Sequence, residues 1–118
     1  MKNFLAVYTG SPTSTAMASW DKLPESERKA REVRGMAAWK QWTQDNAASI
    51  VEMGGPLSRT KRVDPQGIAE VRNHLAAFTI VRAESQEDAA RLFLGHPHFS
   101  IFPGDGVEIM EVLAIPQG

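Results

Sequence analysis

The sequence predicts a single α+β domain built on a four-stranded antiparallel sheet, and three observations support this prediction. The chain has 118 residues, the length of one ordinary domain with one hydrophobic core. Hydrophobic residues make up 42% and charged residues 23% of it, as in folded domains rather than disordered segments. Helical and extended patterns alternate in the order strand, long helix, strand, strand, helix, strand. We therefore expect one domain over residues 1–118.

The first half is predicted to contain a strand, a long helix and a second strand. Phe4 to Tyr8 is rich in aromatic and branched residues and is followed by turn residues, which is typical of a strand. Thr13 to Asp21 is predicted to be a polar connector. Pro24 and the glutamates after it open a helix that should run to about Ala48. Ile50 to Met53 is predicted as a strand, ended by the bend at Gly54-Gly55-Pro56.

The long helix is predicted to bury one apolar face. At 100° per residue this face holds Val33, Met36, Trp39, Ala47 and Ile50. Trp42 lies at the margin of the face, where it is either a packing residue or the wall of a ligand pocket. Lys40 lies inside the apolar arc, so its ammonium either reaches solvent or anchors an anionic ligand.

The second half begins with a predicted hairpin and the best-defined strand. Ser58 to Val63 is predicted to continue the sheet, and Asp64-Pro65-Gln66-Gly67 fits a type I turn at the tip of a hairpin. Leu75 to Val81 is a strongly apolar strand. This part of the chain therefore completes the centre of the sheet.

A short helix and a last strand end the pattern. Ser85 and the acidic residues after it form a helix start, and Gly95 followed by Pro97 forms a helix stop. Val107 to Leu113 is predicted as the final strand. The order of elements is that of the split β-α-β, or ferredoxin-like, arrangement βαββαβ.

The last strand also predicts a homodimer. Val107, Ile109 and Leu113 lie on one face of it, and Met110 and Val112 lie on the other. Two helices can cover only one face of the sheet, so the second apolar face needs another cover. A second copy of the chain is the simplest cover, with the two sheets packed face to face.

Charge and cysteine content exclude several functions. Thirteen basic and fourteen acidic residues give a formal charge of -1, which removes the main driving force for nucleic-acid binding. The chain has no cysteine, which excludes disulfides, thiol catalysis and cysteine-bound metal. The apolar run at Phe4 is too short for a signal peptide or a membrane span, so a cytoplasmic protein without membrane or nucleic-acid partners is expected.

Several segments together resemble the YCII-related family of small bacterial proteins. They are Trp39-x-x-Trp42, Val51 to Leu57, Ala83 to Ala90, His96-Pro97-His98-Phe99 and Val107 to Val112. The resemblance implies a dimeric α+β barrel on the ferredoxin-like fold, with a cleft in each protomer. Better-described relatives look like enzymes with a His-Asp pair, and one branch handles chlorinated aromatic intermediates.

This chain departs from the family at the His-Asp pair. Relatives carry a histidine in the first helix and an aspartate before the proline that follows the second helix. These positions correspond to about Ala38 and to His96, and no histidine lies between Phe4 and Val71. The pair is therefore missing in that form.

Three residues near the second-helix exit are the candidate catalytic groups. His96, His98 and Glu108 are ionisable, and imidazole exchanges protons near neutral pH. The two histidines with Glu108 or Asp105 would also suit a divalent metal, although their spacing matches no known ligand signature. Histidines at a helix end are also favourable without any function, so the structural interpretation stays open. We assign no metal site.

Candidate ligand-binding residues are Trp42, Ser58, Asn73 and His74. Asn73 and His74 precede the central strand, and Ser58 follows the Gly54-Gly55 bend, where glycine would let the backbone approach a ligand. The alternative for His74 is a residue at the hairpin base bonded to backbone. Ser58 has no neighbouring histidine and acid to activate it as a nucleophile.

The sequence thus predicts a protein that binds a small organic molecule without a cofactor. Acid/base, lyase-like catalysis is one interpretation. A non-catalytic binding or regulatory module that acts through its dimer surface is the other, and the missing His-Asp pair favours it. A haem- or oxygen-handling barrel is a third interpretation, for which one of the histidines would have to reach the cavity.

Overall fold

A computed structural model describes residues 1–116, so residues 117 and 118 of the predicted domain lie outside it. Residues 1–116 form six strands and four α-helices. The strands are β1 (Lys2–Thr9), β2 (Ile50–Pro56), β3 (Thr60–Asp64), β4 (Gly67–Val71), β5 (Leu75–Ala83) and β6 (Gly106–Glu111). The helices are α1 (Thr15–Asp21), α2 (Glu25–Asp45), α3 (Gln86–Arg91) and α4 (Pro97–Ser100). No helix in this range is long and apolar enough to cross a membrane.

Four strands form one antiparallel sheet in the order β2-β5-β1-β6. Strand β1 therefore lies inside the sheet, between β5 and β6. This is the ferredoxin-like arrangement, so the predicted fold class is confirmed.

One face of the sheet carries the hydrophobic core. Phe4, Ala6 and Tyr8 alternate along β1 and are almost fully buried beneath the helices. Trp42 of α2 and Phe93, just after α3, pack against them. Burial of each large apolar side chain of this kind stabilises the fold by about 1.5–3 kcal/mol.

The face opposite the helices is here called the open face, and it carries the side chains that alternate with the buried ones along β1. Leu5 pairs with Ile80 and Met110 on this face, and Val7 pairs with Phe78. The molecule measures only 19 Å along its shortest axis, as expected for one sheet with one helical layer. The open face matches the predicted dimer surface, and the dimer itself stays a prediction.

The prediction for the residues before the long helix is wrong. Thr15–Asp21 forms α1 instead of an irregular connector, because the Ser14 hydroxyl accepts a hydrogen bond from the Met17 backbone N–H at 3.0 Å. The long helix also ends at Asp45 rather than near Ala48, and a 3₁₀ turn follows it.

The predicted core face of the long helix is partly wrong. The side chains of Val33 and Met36 are 72% and 63% exposed, because the core lies nearer the C-terminal half of α2. The two tryptophans exchange their predicted roles. Trp42 is buried in the core, whereas Trp39 is half-buried at its edge.

The hairpin prediction is right about the turn and wrong about the sheet. The Asp64–Gly67 turn joins β3 to β4, and the Asp64 carboxylate accepts a hydrogen bond from the Gln66 N–H at 2.9 Å. However, β3 and β4 form a separate two-stranded sheet and do not continue the main one. Val63 and Ile68, paired near its tip, are both more than 70% exposed, so this hairpin projects as an arm.

The last elements follow the sequence prediction in part. Helix α3 ends at Arg91, before the predicted stop at Gly95, and helix α4, which begins at Pro97, was not predicted. The Ser85 hydroxyl caps α3 by accepting a hydrogen bond from the Asp88 N–H at 3.1 Å. Gly95 has a φ of 67°, the left-handed conformation predicted for the helix stop. The final strand is slightly shorter than predicted and ends at Glu111.

Candidate functional site

A cavity of about 420 Å³ lies between helix α2 and the sheet. Its helical wall consists of Met36, Trp39, Lys40 and Thr43. These positions follow the i, i+3, i+4, i+7 spacing, which places side chains on one face of a helix. These residues lie in the C-terminal half of α2, where Trp42 on a neighbouring side of the helix enters the core.

The sheet wall of the cavity depends on an irregular stretch of β2. The register of β2 against β5 shifts between Glu52 and Gly55, and Gly54 has a φ of 66°. A Cβ atom at Gly54 would overlap the backbone carbonyl oxygen of Phe78. Glycine is therefore required here, because the strands approach too closely for a side chain in this conformation. The residues that complete this wall are Met53 to Pro56 and Ala77 to Thr79.

A short chain of hydrogen bonds lies at the base of the cavity. The Thr79 hydroxyl donates to the Met53 carbonyl oxygen at 3.0 Å. The hydroxyl oxygens of Tyr8 and Thr79 are 3.3 Å apart. Because a threonine hydroxyl has a single proton, the Tyr8 hydroxyl donates in this second bond. Burial raises the pKa of Tyr8, against a smaller opposing effect of the Thr79 hydrogen bond, so the phenol stays protonated at physiological pH.

His96 lies behind the cavity, inside an aromatic cluster. Its side chain is 0% exposed, and its ring centroid is 4.5 Å from that of Trp39 and 4.7 Å from that of Trp42. Its Nδ1 atom caps α4 by accepting a hydrogen bond from the His98 N–H at 3.0 Å. Nε2 must then carry the proton of the neutral ring, and it has no hydrogen-bond partner within residues 1–116. Burial, and secondarily the nearby His98 imidazole, lowers the pKa of His96 to about 4.

His98 is also held by backbone. Its Nε2 atom lies 2.7 Å from the carbonyl oxygen of Thr9 and donates to it, since a carbonyl can only accept. The same oxygen accepts a hydrogen bond from the Asp105 N–H at 2.9 Å. His98 therefore ties α4 to the end of β1, and Asp105 ties the loop before β6 to the same point.

The structure does not bring the three candidate catalytic residues together. His96 and His98 pack against Tyr8 on the helical side of the sheet. Glu108 pairs with Val7 and is exposed on the open face. Within the described residues, no cluster of three or more histidine, aspartate or glutamate side chains could hold a metal ion. The catalytic role of these three residues stays a prediction.

The predicted ligand-binding residues also lie away from the cavity. Trp42 is buried and donates from Nε1 to the Leu92 carbonyl oxygen at 2.8 Å, as a core residue does. Ser58, Asn73 and His74 line a separate groove of about 700 Å³ at the base of the β3–β4 arm. The Asn73 side chain bonds the Thr60 hydroxyl and the Leu75 N–H, both at 3.0 Å, so it holds the arm in place.

Sequence reasoning missed Tyr8 and Thr79, and it only partly recognised Lys40 and Gly54. Tyr8 and Thr79 lie within apolar strands, where a polar group looks like an ordinary core residue. Their register, which pairs Ala6 with Thr79 and Tyr8 with Ala77, brings them together across the sheet. Lys40 interrupting an apolar helical face was the one local signal of this site.

Comparison with known proteins shows the fold. No protein-family profile and no curated protein sequence matches this chain. Among solved structures, the chain is similar to a 5-chloro-2-hydroxyhydroquinone dehydrochlorinase from Burkholderia phenoliruptrix AC1100, determined in complex with 2,5-dihydroxybenzoquinone. The two share 18% sequence identity with a TM-score of 0.53, and the match covers 92% of this chain and 90% of that one. At this identity the likeness shows a shared fold.

Proposed function

We propose that this chain belongs to the YCII-related family and binds a small, flat organic molecule in the cavity between α2 and the sheet. The observation that carries the proposal is an apolar and aromatic cavity with a few polar groups, Tyr8, Thr79 and Lys40, at its wall. Its volume of about 420 Å³ lies within the usual range for small-molecule sites. The fold it shares with a protein bound to 2,5-dihydroxybenzoquinone supports a ligand of similar size.

The cavity is a better candidate than the groove at the base of the arm. Trp39 and Met36 give the cavity a large apolar wall, and Tyr8 at its base is 1% exposed, so the base is shielded from water. The groove is lined largely by exposed charged and polar side chains, among them Arg59 and Arg72. Hydrogen bonds made there compete with bulk water and add little affinity.

Lyase-like catalysis is the finer form of this proposal. The solved relative is a dehydrochlorinase, an enzyme that removes HCl from its substrate. A non-catalytic binding module is the second candidate, favoured because the described lining of the cavity contains no imidazole and no carboxylate. One assay separates the two candidates. A lyase should release chloride from 5-chloro-2-hydroxyhydroquinone faster than a heat-denatured control does, whereas a binding module should not.

Filling the cavity should abolish ligand binding. Ala77 lines the cavity next to Tyr8, whereas the neighbouring Ala76 is exposed and points to the other side of β5. We expect Ala77→Leu to raise the Kd for 2,5-dihydroxybenzoquinone at least tenfold, because the added carbons occupy the ligand volume. Ala76→Leu is the matched control and should bind like the original protein. Calorimetric titration of both variants measures this, and equal affinities would place the ligand elsewhere.

We also propose that the open face forms a homodimer. Leu5, Ile80 and Met110 present a continuous apolar surface there, and a second copy of the chain would bury it. The expected particle in light scattering has twice the chain mass of 13.0 kDa. Met110→Lys should shift it towards the monomer, whereas Val33→Lys on the exposed side of α2 should not. A monomeric original protein would refute the dimer.

A further inference from the structure

We propose that the cavity selects an aromatic anion that also carries a hydrogen-bond donor. In this arrangement the anionic oxygen pairs with the Lys40 ammonium at the mouth of the cavity. The donor group of the ligand meets the phenolic oxygen of Tyr8 at the base. The inference rests on the proposed function, because it specifies the ligand of the same cavity.

The first observation is the charge of the cavity wall. Lys40 is the one lining residue with a formal charge among those that the structure describes, and no carboxylate opposes it there. It is exposed, which places it at the mouth, and it forms no ion pair with another described residue. Its ammonium is therefore available to a ligand, and a carboxylate or phenolate is the group that a lysine attracts.

The second observation is the direction of the hydrogen bonds at the base. Thr79 gives its only proton to the Met53 carbonyl oxygen, and Tyr8 gives its proton to Thr79. Both protons are therefore used within the wall of the cavity, and the Tyr8 oxygen has only lone pairs left to offer a ligand. A ligand O–H or N–H can donate a hydrogen bond to these lone pairs. An ether or carbonyl oxygen has no proton to donate, and its own lone pairs would be repelled. Burial keeps the phenol protonated, which maintains this polarity.

The third observation is the shape of the walls. Trp39 and Met36 lie on the helical side of the cavity, and Pro56 and Ala77 lie on the sheet side. Aromatic and thioether groups pack favourably on the face of a flat ring. A hydroxylated aromatic acid meets all three conditions.

Four related probes separate the two contacts. 4-Hydroxybenzoate has both the anion and the donor. Benzoate and 4-methoxybenzoate have only the anion, and methyl 4-hydroxybenzoate has only the donor. We expect 4-hydroxybenzoate to bind about tenfold more tightly than each of the others, because each of them loses one charged or directional contact. The Kd values are measured by calorimetry on the full chain.

Two variants test the residues directly. Lys40→Met should weaken 4-hydroxybenzoate about tenfold and leave the methyl ester unchanged, while Lys29→Met, on an exposed turn of the same helix, should change neither. Tyr8→Phe should remove the preference for hydroxyl over methoxy. If Tyr8→Phe does not fold, Thr79→Val serves instead. This variant removes the acceptor of the Tyr8 proton, so the phenolic O–H turns to the cavity. The Kd of 4-methoxybenzoate should then fall relative to that of 4-hydroxybenzoate.

The outcomes separate this inference from the proposed function. The inference is supported if the original protein prefers 4-hydroxybenzoate and if the Lys40 and Tyr8 variants change this preference as stated. If 2,5-dihydroxybenzoquinone binds and Ala77→Leu blocks it, but the four probes show no preference, the inference is wrong and the proposed function stands. If neither the quinone nor any benzoate binds the original protein, both are wrong.

Discussion

Replacing Gly54 by alanine should cost about 3 kcal/mol of unfolding free energy, the largest effect of any small substitution that we foresee in the sheet. The residue has a φ of 66°, a conformation that costs a residue with a Cβ atom about 1–2 kcal/mol. The added Cβ would also overlap the Phe78 carbonyl oxygen, so β2 must move away from β5. That movement weakens the hydrogen bond from Thr79 to Met53, worth about 1 kcal/mol.

Gly55→Ala is the matched control for this prediction. Gly55 follows directly in the same strand, but a Cβ atom there meets nothing within 4 Å and its φ is not positive. We expect its unfolding free energy to stay within about 0.5 kcal/mol of the original. Urea denaturation of both variants measures the difference. Equal stabilities would show that the bulge in β2 does not have the described conformation.

Acidification between pH 6.5 and pH 4 should remove about 3 kcal/mol of stability through His96 alone. The pKa of His96 is lowered to about 4 in the folded protein, whereas an unfolded histidine titrates near 6.5. Above pH 6.5 both states hold the neutral ring, and the contribution of His96 is fully present. As the pH falls towards 4, the unfolded state takes up a proton that the folded state does not, so unfolding becomes easier.

His96→Asn separates this effect from general acid denaturation. The asparagine carbonyl oxygen can replace Nδ1 as the acceptor of the His98 N–H, so the cap of α4 is retained. The variant loses packing against Trp39 and Trp42 and should be less stable at neutral pH by about 2 kcal/mol. Its stability should depend less steeply on pH between 6.5 and 4.

His74→Asn is the matched control, because it removes an exposed imidazole and leaves the buried one in place. It should keep the original pH dependence. Urea midpoints measured at half-unit pH steps provide the comparison. An identical slope in the His96→Asn variant would refute the buried, neutral state of His96.

The fold could be predicted from sequence because its elements carry local signals. Ser85 marks the start of α3, and the Asp64–Gly67 turn marks the tip of the arm. Gly95 marks the turn between the end of α3 at Arg91 and α4. The long helix opens at Pro24 followed by Glu25 and Glu27. Each of these residues acts on backbone within a few positions of itself, so no tertiary contact was needed to recognise it.

The candidate site could not be predicted in the same way, because it is assembled from distant parts of the chain. Tyr8 and Thr79 are 71 positions apart and meet only through the register of β1 and β5. His96 and His98 drew attention as ionisable groups, yet the protein uses their nitrogens to cap α4 and to hold Thr9. Sequence shows that a side chain can carry chemistry, but whether it faces a cavity or a backbone group depends on packing.

The choice between Trp39 and Trp42 shows the same limit. The two residues are three positions apart, so a modest rotation of α2 decides which of them enters the core. The core lies beside the C-terminal half of the helix, where Trp42 reaches the Leu92 carbonyl oxygen. Trp39 is left to line the cavity. Helical periodicity predicted an apolar face but not its position, since the buried residues of α2 are Gly35 and Trp42.

The central claim is that the ligand site is the cavity beneath α2, and an amide shift map tests it most directly. Titrating 2,5-dihydroxybenzoquinone into ¹⁵N-labelled protein is convenient because the chain has no cysteine thiol to add to the quinone. We predict saturable shifts that are largest at the backbone amides of Gly54, Gly55 and Thr79, which line the cavity. Shifts centred instead on Asn73 and His74, in the groove at the base of the arm, would contradict the account.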